Sequence, residues 1–255
     1  MSTVVFVHAH PDDEAIFSGG TMRLLADAGH RVVLVVATSG ERGIDDGRSA
    51  DGLASTRLRE TSTAADILGI SLVLSLDFED SGMEAENPTG LAHVESSTVV
   101  ERLIERLEAA GVEPDALVGY DEGGIYDHPD HLAIHPLVHT AGERLAIPTV
   151  YDATVDREYL HFVETHLVVE AGLDERPTDL GLASTSIGLP TLLIDIELDT
   201  SAVADVKRAA MAAHESQIPE SSSALQLDTQ PFSAVYGYEW YVRTGPTGAI
   251  DDLLG

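Results

Sequence analysis

The sequence predicts an α/β fold built on a mostly parallel sheet. Short apolar, β-rich runs at residues 3–8, 31–37, 72–76 and 115–119 alternate with segments of helical spacing, and each helical segment closes on a turn signal. The first run, Val4-Val5-Phe6-Val7, is apolar at every position, as a strand covered on both faces must be. Residues 55–68 read as a helix closed by Gly69. Residues 98–111 place Val99, Val100, Leu103, Ile104 and Leu107 on one face and Glu101, Arg102, Glu105 and Arg106 on the other, with Gly111 as the stop. Ala202 to His214 is an alanine-rich amphipathic segment. The stretches 38–54, 170–190 and 217–232 are polar and irregular, and read as loops that cover a site. The length of 255 residues suits one domain, with a less regular C-terminal part from about 170.

Composition narrows the function. With no cysteine, disulfides, iron–sulfur clusters and thiolate metal sites are excluded, so a bound metal must be held by imidazole and carboxylate. The net charge of −30 argues against a nucleic-acid partner, because a phosphate backbone would be repelled over most of the surface. No apolar run approaches the roughly 18 residues of a membrane span, and the chain enters its first strand without a basic leader. A cytoplasmic protein with no membrane partner is expected. Lys207 is the single lysine among fourteen basic residues.

Two short motifs carry the chemistry. His8-Ala9-His10-Pro11-Asp12-Asp13-Glu14 follows the first strand, and Tyr126-Asp127-His128-Pro129-Asp130-His131 follows the fourth. In an open parallel sheet the ligand crevice lies outside the carboxyl ends of the strands, so the motifs meet if strands one and four are neighbours. Crowded carboxylates and imidazoles at a buried strand end are costly without a compensating cation or hydrogen bonds. His10, Asp13 and His131 supply three ligands and leave a position open. Asp12, beside Asp13 but turned differently by Pro11, is placed to act as general base. His128, at a helix start with Pro129 in its first turn, faces the substrate as oxyanion stabiliser or acid. Asp130 is expected to orient it, and Tyr126 to add a hydrogen bond. Either motif alone would read as a turn or a solvated helix start; their joint occurrence favours a metal site. His131, His135 and His139, spaced i, i+4, i+8, form a rival ligand set that Pro136 disturbs. His8 reads as a hydrogen-bonded core histidine.

With these residues in place, the chain resembles the LmbE-like, or PIG-L, family of zinc-dependent N-acetylglucosaminyl deacetylases. His10-Pro11-Asp12-Asp13-Glu14 and His128-Pro129-Asp130-His131 match its signatures, as do Gly19-Gly20-Thr21, Thr38-Ser39-Gly40-Glu41, Arg57-x-x-Glu60 and Ala213-His214-Glu215-Ser216-Gln217. The resemblance implies a Rossmann-like three-layer α/β/α sandwich. It also implies Zn2+ at His10, Asp13 and His131, a donor set that suits Fe2+ as well. The branch acting in mycothiol metabolism is the most similar, and implies Arg57 and Asp80 as sugar-hydroxyl contacts, with Tyr126 assisting at the carbonyl. Asp127 departs from that branch, which often carries glycine there. The surface alternative for Arg57 is an i,i+3 pair with Glu60.

The expected reaction is metal-dependent hydrolysis of the N-acetyl group of a 2-acetamido-2-deoxy sugar conjugate to acetate and a free amine. Two alternatives stand beside it. One is an amidase on a mycothiol-type conjugate or an antibiotic-like glycoside deacetylase; the other is a non-catalytic sugar-binding module. The expected partner is a small amino-sugar conjugate, with the oligomeric state, a homo-oligomer included, left open.

Overall fold

The computed structural model describes residues 1–44, 47, 49–163 and 187–254. Seven strands among them form one sheet: β1 (Thr3–His8), β2 (Arg31–Thr38), β3 (Leu72–Phe78), β4 (Ala116–Tyr120), β5 (Thr149–Thr154), β6 (Ile196–Asp199) and β7 (Tyr238–Thr244). Their order is β3-β2-β1-β4-β5-β7-β6. β1 to β5 are parallel, whereas β7 runs antiparallel to both β5 and β6. The helices are α1 (Asp13–Phe17), α2 (Gly19–Asp27), α3 (Ala50–Leu68), α4 (Ser96–Ala109), α5 (Gly124–Asp127), α6 (Pro129–Leu145), α7 (Arg157–Phe162), α8 (Ala204–Ala212), α9 (Ser223–Gln226) and α10 (Thr229–Tyr236).

Strand side chains alternate between faces, and both faces are covered. Val4, Phe6, Val32, Leu34 and Val36 pack with Met22, Leu25, Leu68 and Met211 of α2, α3 and α8. Val5, Val7, Val33 and Val35 pack with Leu103, Leu107, Leu137 and Val138 of α4 and α6. Each such side chain contributes about 1.5–3 kcal/mol when fully buried, which explains the uninterrupted apolar strands. The expected three-layer arrangement is present. β1 pairs with β2 on one side and β4 on the other, so the chain reverses direction across the sheet there, and the crevice opens at the carboxyl ends of β1 and β4.

Several boundaries differ from the sequence expectation. α3 starts at Ala50, inside the stretch read as loop, because the Ser49 side chain accepts the Gly52 amide and caps it. The stretch 217–232 contains α9 and the first half of α10, and the C-terminal part supplies β6 and β7, so it is more regular than expected where described. β6 alternates buried and exposed residues over only four positions, too short a period to announce itself. Of the stretch 170–190, residues 170–186 lie outside the described residues. Lys207 is buried, donating to Glu239 Oε1 at 2.6 Å, and Glu239 also accepts the Gly20 and Thr21 amides at the start of α2.

Candidate active site

β1 delivers His10 and the first carboxylates to the crevice. Asp12 sits at φ 101°, a left-handed conformation that costs about 1–3 kcal/mol for a non-glycine residue and separates two adjacent carboxylates. Asp13 turns into the site, where its Oδ2 accepts the His10 amide at 2.9 Å and the Tyr120 hydroxyl at 2.7 Å. Asp12 turns to Arg57, whose Nη2 donates to Asp12 Oδ2 at 3.1 Å. Burial pushes the Asp12 carboxyl up to about 6 against the pull of Arg57. Burial also opposes the charge on Asp13, but His131 and His10 outweigh it and hold that group well below the usual range.

β4 and α6 bring the second motif opposite. His128 is the N-cap of α6, and its Nδ1 accepts the Asp130 amide at 3.1 Å, with Pro129 in the first turn. His131 donates from Nδ1 to the Gly124 carbonyl at 3.2 Å. Gly124 has φ 59°, and a Cβ there would lie 2.8 Å from His131 Cβ, so the approach requires glycine. The Tyr126 hydroxyl stands 3.3 Å from His131 Nε2. Its neighbours Ile125 and Asp127 have φ of 67° and 64°. At Asp127 glycine would be unstrained.

Asp130 does not orient His128, contrary to expectation. Its carboxylate is fully buried and accepts from the Ser81 amide and hydroxyl, the Ala92 amide and, at 3.2 Å, His10 Nε2. The helix turn points the Asp130 side chain away from His128, and only its backbone amide meets that ring. Asp130 therefore sets the His10 tautomer.

Hydrogen bonds thus assign each ring's free atom. His10 donates from Nε2 and presents Nδ1, while His131 donates from Nδ1 and presents Nε2. Asp13 Oδ2 lies 3.5 Å from the first and 3.3 Å from the second. Each imidazole acceptor thus lies beside the Asp13 carboxylate, at about the separation of tetrahedral ligands bonded at about 2.0–2.2 Å. His128 differs: its Nδ1 is an acceptor, so the neutral ring carries its proton on Nε2 and is a donor. Donor atoms of His10, His128 and His131 also lie within 4.8 Å of one another, but this proton makes His128 unsuited to bind metal. Burial, then the neighbouring His10 and His131, lowers the His128 pKa to about 4, so the ring is neutral at pH 7. Burial opposes a charge on His10, yet Asp13, Asp130 and Asp80 hold its pKa well above the usual value; that demand for positive charge is what a divalent cation meets. The donor set fits such an ion.

Asp80 is 3% exposed, with its carboxylate accepting the Gly82 and Arg42 amides and lying 3.7 Å from His10 Nε2. Arg57 departs from the surface reading. Glu60 accepts from Ser216 rather than from Arg57. The Arg57 guanidinium, 4% exposed, donates to Gly40 O, Pro11 O and Asp12, so it faces the protein around Asp12, with its Nε buried and unpartnered. His8 is the core histidine expected, its Nδ1 donating to the Tyr120 oxygen at 3.0 Å.

Three supporting groups escaped the sequence reading. Tyr120 donates to Asp13 and stacks on His131 with ring centroids 4.2 Å apart; the one signal was a tyrosine ending an otherwise small and aliphatic strand. Ser81 anchors Asp130. Glu14 bonds the fully buried His214 at 2.5 Å through one oxygen and accepts the Asp12 amide with the other, tying α8's end to the first motif.

A parallel α/β sheet with buried histidines and carboxylates gathered at its switch point defines a metal-site α/β protein. The chain belongs to the PIG-L family (GlcNAc-PI de-N-acetylase), whose profile matches residues 5–142. It is similar to two proteins named 1D-myo-inositol 2-acetamido-2-deoxy-alpha-D-glucopyranoside deacetylase. The one from Saccharomonospora viridis is 32% identical over 99% of this chain and 99% of that protein, and the one from Salinispora arenicola is 30% identical over 98% and 90%. Among solved structures, N,N'-diacetylchitobiose deacetylase from Pyrococcus horikoshii has a TM-score of 0.61 at 22% identity, covering 96% of this chain and 84% of that one. GalB, a 4-carboxy-2-hydroxymuconate hydratase from Pseudomonas putida KT2440, has 0.60 at 19%, covering 97% and 98%. The fold therefore hosts more than one chemistry, and the site must decide.

Proposed function

We propose that this protein hydrolyses the N-acetyl group of a 2-acetamido-2-deoxy sugar conjugate to acetate and the free amine. The observation that carries the reading is the division of labour among the histidines: two present lone pairs beside Asp13, and the third presents a proton. His10 Nδ1, Asp13 and His131 Nε2 would hold Zn2+, and Fe2+ suits the same donors. A divalent ion there supplies Lewis acidity, polarising an amide carbonyl and acidifying water.

Asp12 takes the proton of the attacking water, with Arg57 and Glu14 fixing its side chain and backbone. The Nε2 proton of His128 and the Tyr126 hydroxyl donate to the oxyanion as the carbonyl carbon becomes tetrahedral. Asp12 then passes its proton to the nitrogen as the C–N bond breaks. Asp80 lies on the side of the site where a sugar hydroxyl would meet a carboxylate, while Arg57 acts by positioning Asp12. The names of the curated relatives support this substrate class. Contacts such as Glu14–His214 join distant parts of the chain and support reading it as one domain. Among the described residues no helix is long and apolar enough to cross a membrane, which accords with a cytoplasmic amino-sugar enzyme.

The test is acetate release from N-acetylglucosamine conjugates by protein loaded with zinc or iron(II). Asp12→Ala is expected to lower turnover by about 10²–10⁴ with unchanged metal content. Near wild-type turnover in that variant would overturn the mechanism.

A further inference from the structure

Two cavities lie near the carboxyl ends of the strands, one mixed in its lining and one mainly apolar. On the β2–β3 side is a cavity of about 680 Å³ in which Glu41, Arg42, Asp51 and Asn87 stand beside Leu58 and Phe78. It adjoins Asp80, whose amide is held by Glu41 and whose carboxylate accepts the Arg42 amide. On the β5–β7 side a cavity of about 490 Å³ begins at Asp12, Asp13 and Tyr126 and runs between Phe17, Tyr159, Leu160 and Trp240. Several polar groups in its wall are bonded to protein: Tyr159 to the Ala234 carbonyl, Thr154 to Asp121, Trp240 to Glu197 and Lys207 to Glu239. The rest of the lining is mainly aromatic and aliphatic.

An amide held at the centre has two ends that leave in opposite directions. One is a hydroxylated sugar, which the polar side suits; the other is the acyl group. An acetyl methyl would leave most of a 490 Å³ apolar cavity unfilled. We infer that the β5–β7 cavity is an acyl pocket, and that the enzyme hydrolyses amino-sugar amides carrying a medium-chain or aryl acyl group in preference to acetyl. The inference rests on the hydrolase reading above and extends its substrate class. The chemistry balances as before: water adds across the C–N bond, giving a longer carboxylate and the same sugar amine.

The experiment compares amine release from glucosamine carrying N-acetyl, N-hexanoyl or N-phenylacetyl groups, and from octyl N-acetylglucosaminide, using the full-length metal-loaded protein. Burial of four added methylenes predicts a rise in kcat/KM of at least roughly tenfold from acetyl to hexanoyl. Filling the pocket at its wall residue Ala224 with Ala224→Phe, or making its wall polar with Leu160→Asn, is expected to bring the hexanoyl-to-acetyl ratio of kcat/KM down to about one. Two variants of opposite design guard against misfolding of either. Equal or lower kcat/KM for the longer acyl groups, or a gain confined to the octyl glycoside, overturns the acyl pocket while the deacetylase reading stands. No amine from any compound, with metal bound, overturns both.

Discussion

Helix α6 carries two histidine–carboxylate clusters one or two turns apart, and only one is built as a reaction centre. At its start, His128 and His131 join His10, Asp13 and Asp130, all buried, with every ring tautomer set by a backbone group or a carboxylate. Further along, His135 and His139 share Asp152 of β5, their side chains 27% exposed, and His139 Nε2 donates to both Asp152 oxygens at 2.9 and 3.1 Å. His135 donates from Nδ1 to the Tyr120 carbonyl at 3.0 Å. The second cluster has the i, i+4 spacing of a helix-borne metal pair, yet His139 turns its proton to Asp152 and His135 turns its Nδ1 proton to the Tyr120 carbonyl, 3.4 Å from Asp152. Spacing alone does not distinguish the two; burial and the direction of each N–H do.

The comparison is broken most directly by deleting one histidine from each. His131→Ala is expected to lose bound metal and lower activity by more than the about 100-fold typical of losing a supporting hydrogen bond, while His139→Ala stays within about twofold. Metal content by atomic absorption and acetate release read both. Within the buried cluster, His128→Ala should lower kcat by about 10²–10³ with metal retained, because it removes a donor to the oxyanion rather than a ligand. Loss of metal in His128→Ala would instead make it a ligand and reverse the tautomer argument. Smaller again, Tyr120→Phe removes the donor to Asp13 and is expected to weaken metal affinity by about 10–100-fold, measured by competition with a chelator.

The exposed cluster should show itself in stability, and weakly. Its hydrogen bond to Asp152 raises the His135 pKa above the usual 6.5; burial opposes the charge on Asp152, but the two histidines lower its pKa below 3.8. The raised group stabilises the fold fully below pH 6.5 and loses that contribution as pH rises through its folded pKa. The lowered group contributes above pH 3.8 and loses it as pH falls through its own. Asp152→Asn should therefore cost most between about pH 4 and 6.5, by about 1 kcal/mol or less given the exposure, and little above pH 8. A destabilisation that grows with pH in thermal unfolding would contradict the ion pair.

The parallel half of the fold was legible because its strands are apolar on both faces and its helices carry period and caps together. β6 and β7 were not, since four alternating residues and a strand holding Glu239 and Arg243 give no sustained apolar run. At the site, His10, Asp12, Asp13, Tyr126, His128 and His131 do converge. Side-chain direction was what the sequence could not convey. Asp130 is two residues from His128 but serves His10 from 120 residues away, and Arg57, one turn from Glu60 on α3, reaches across to Asp12. Such assignments depend on which way a helix faces in the assembled sheet.

The bond between Glu14 and His214 spans 200 residues. During synthesis the first motif leaves the ribosome long before its carboxylate has a partner, whereas His10, Asp13 and His131 are together in the nascent chain once α6 has emerged. Contacts of such long sequence separation form late, because chain entropy must be overcome before they reward the fold. The Glu14 carboxylate can therefore meet His214 only after α8 has been made, and the first motif is tied to the rest of the fold through a contact that closes near the end of synthesis.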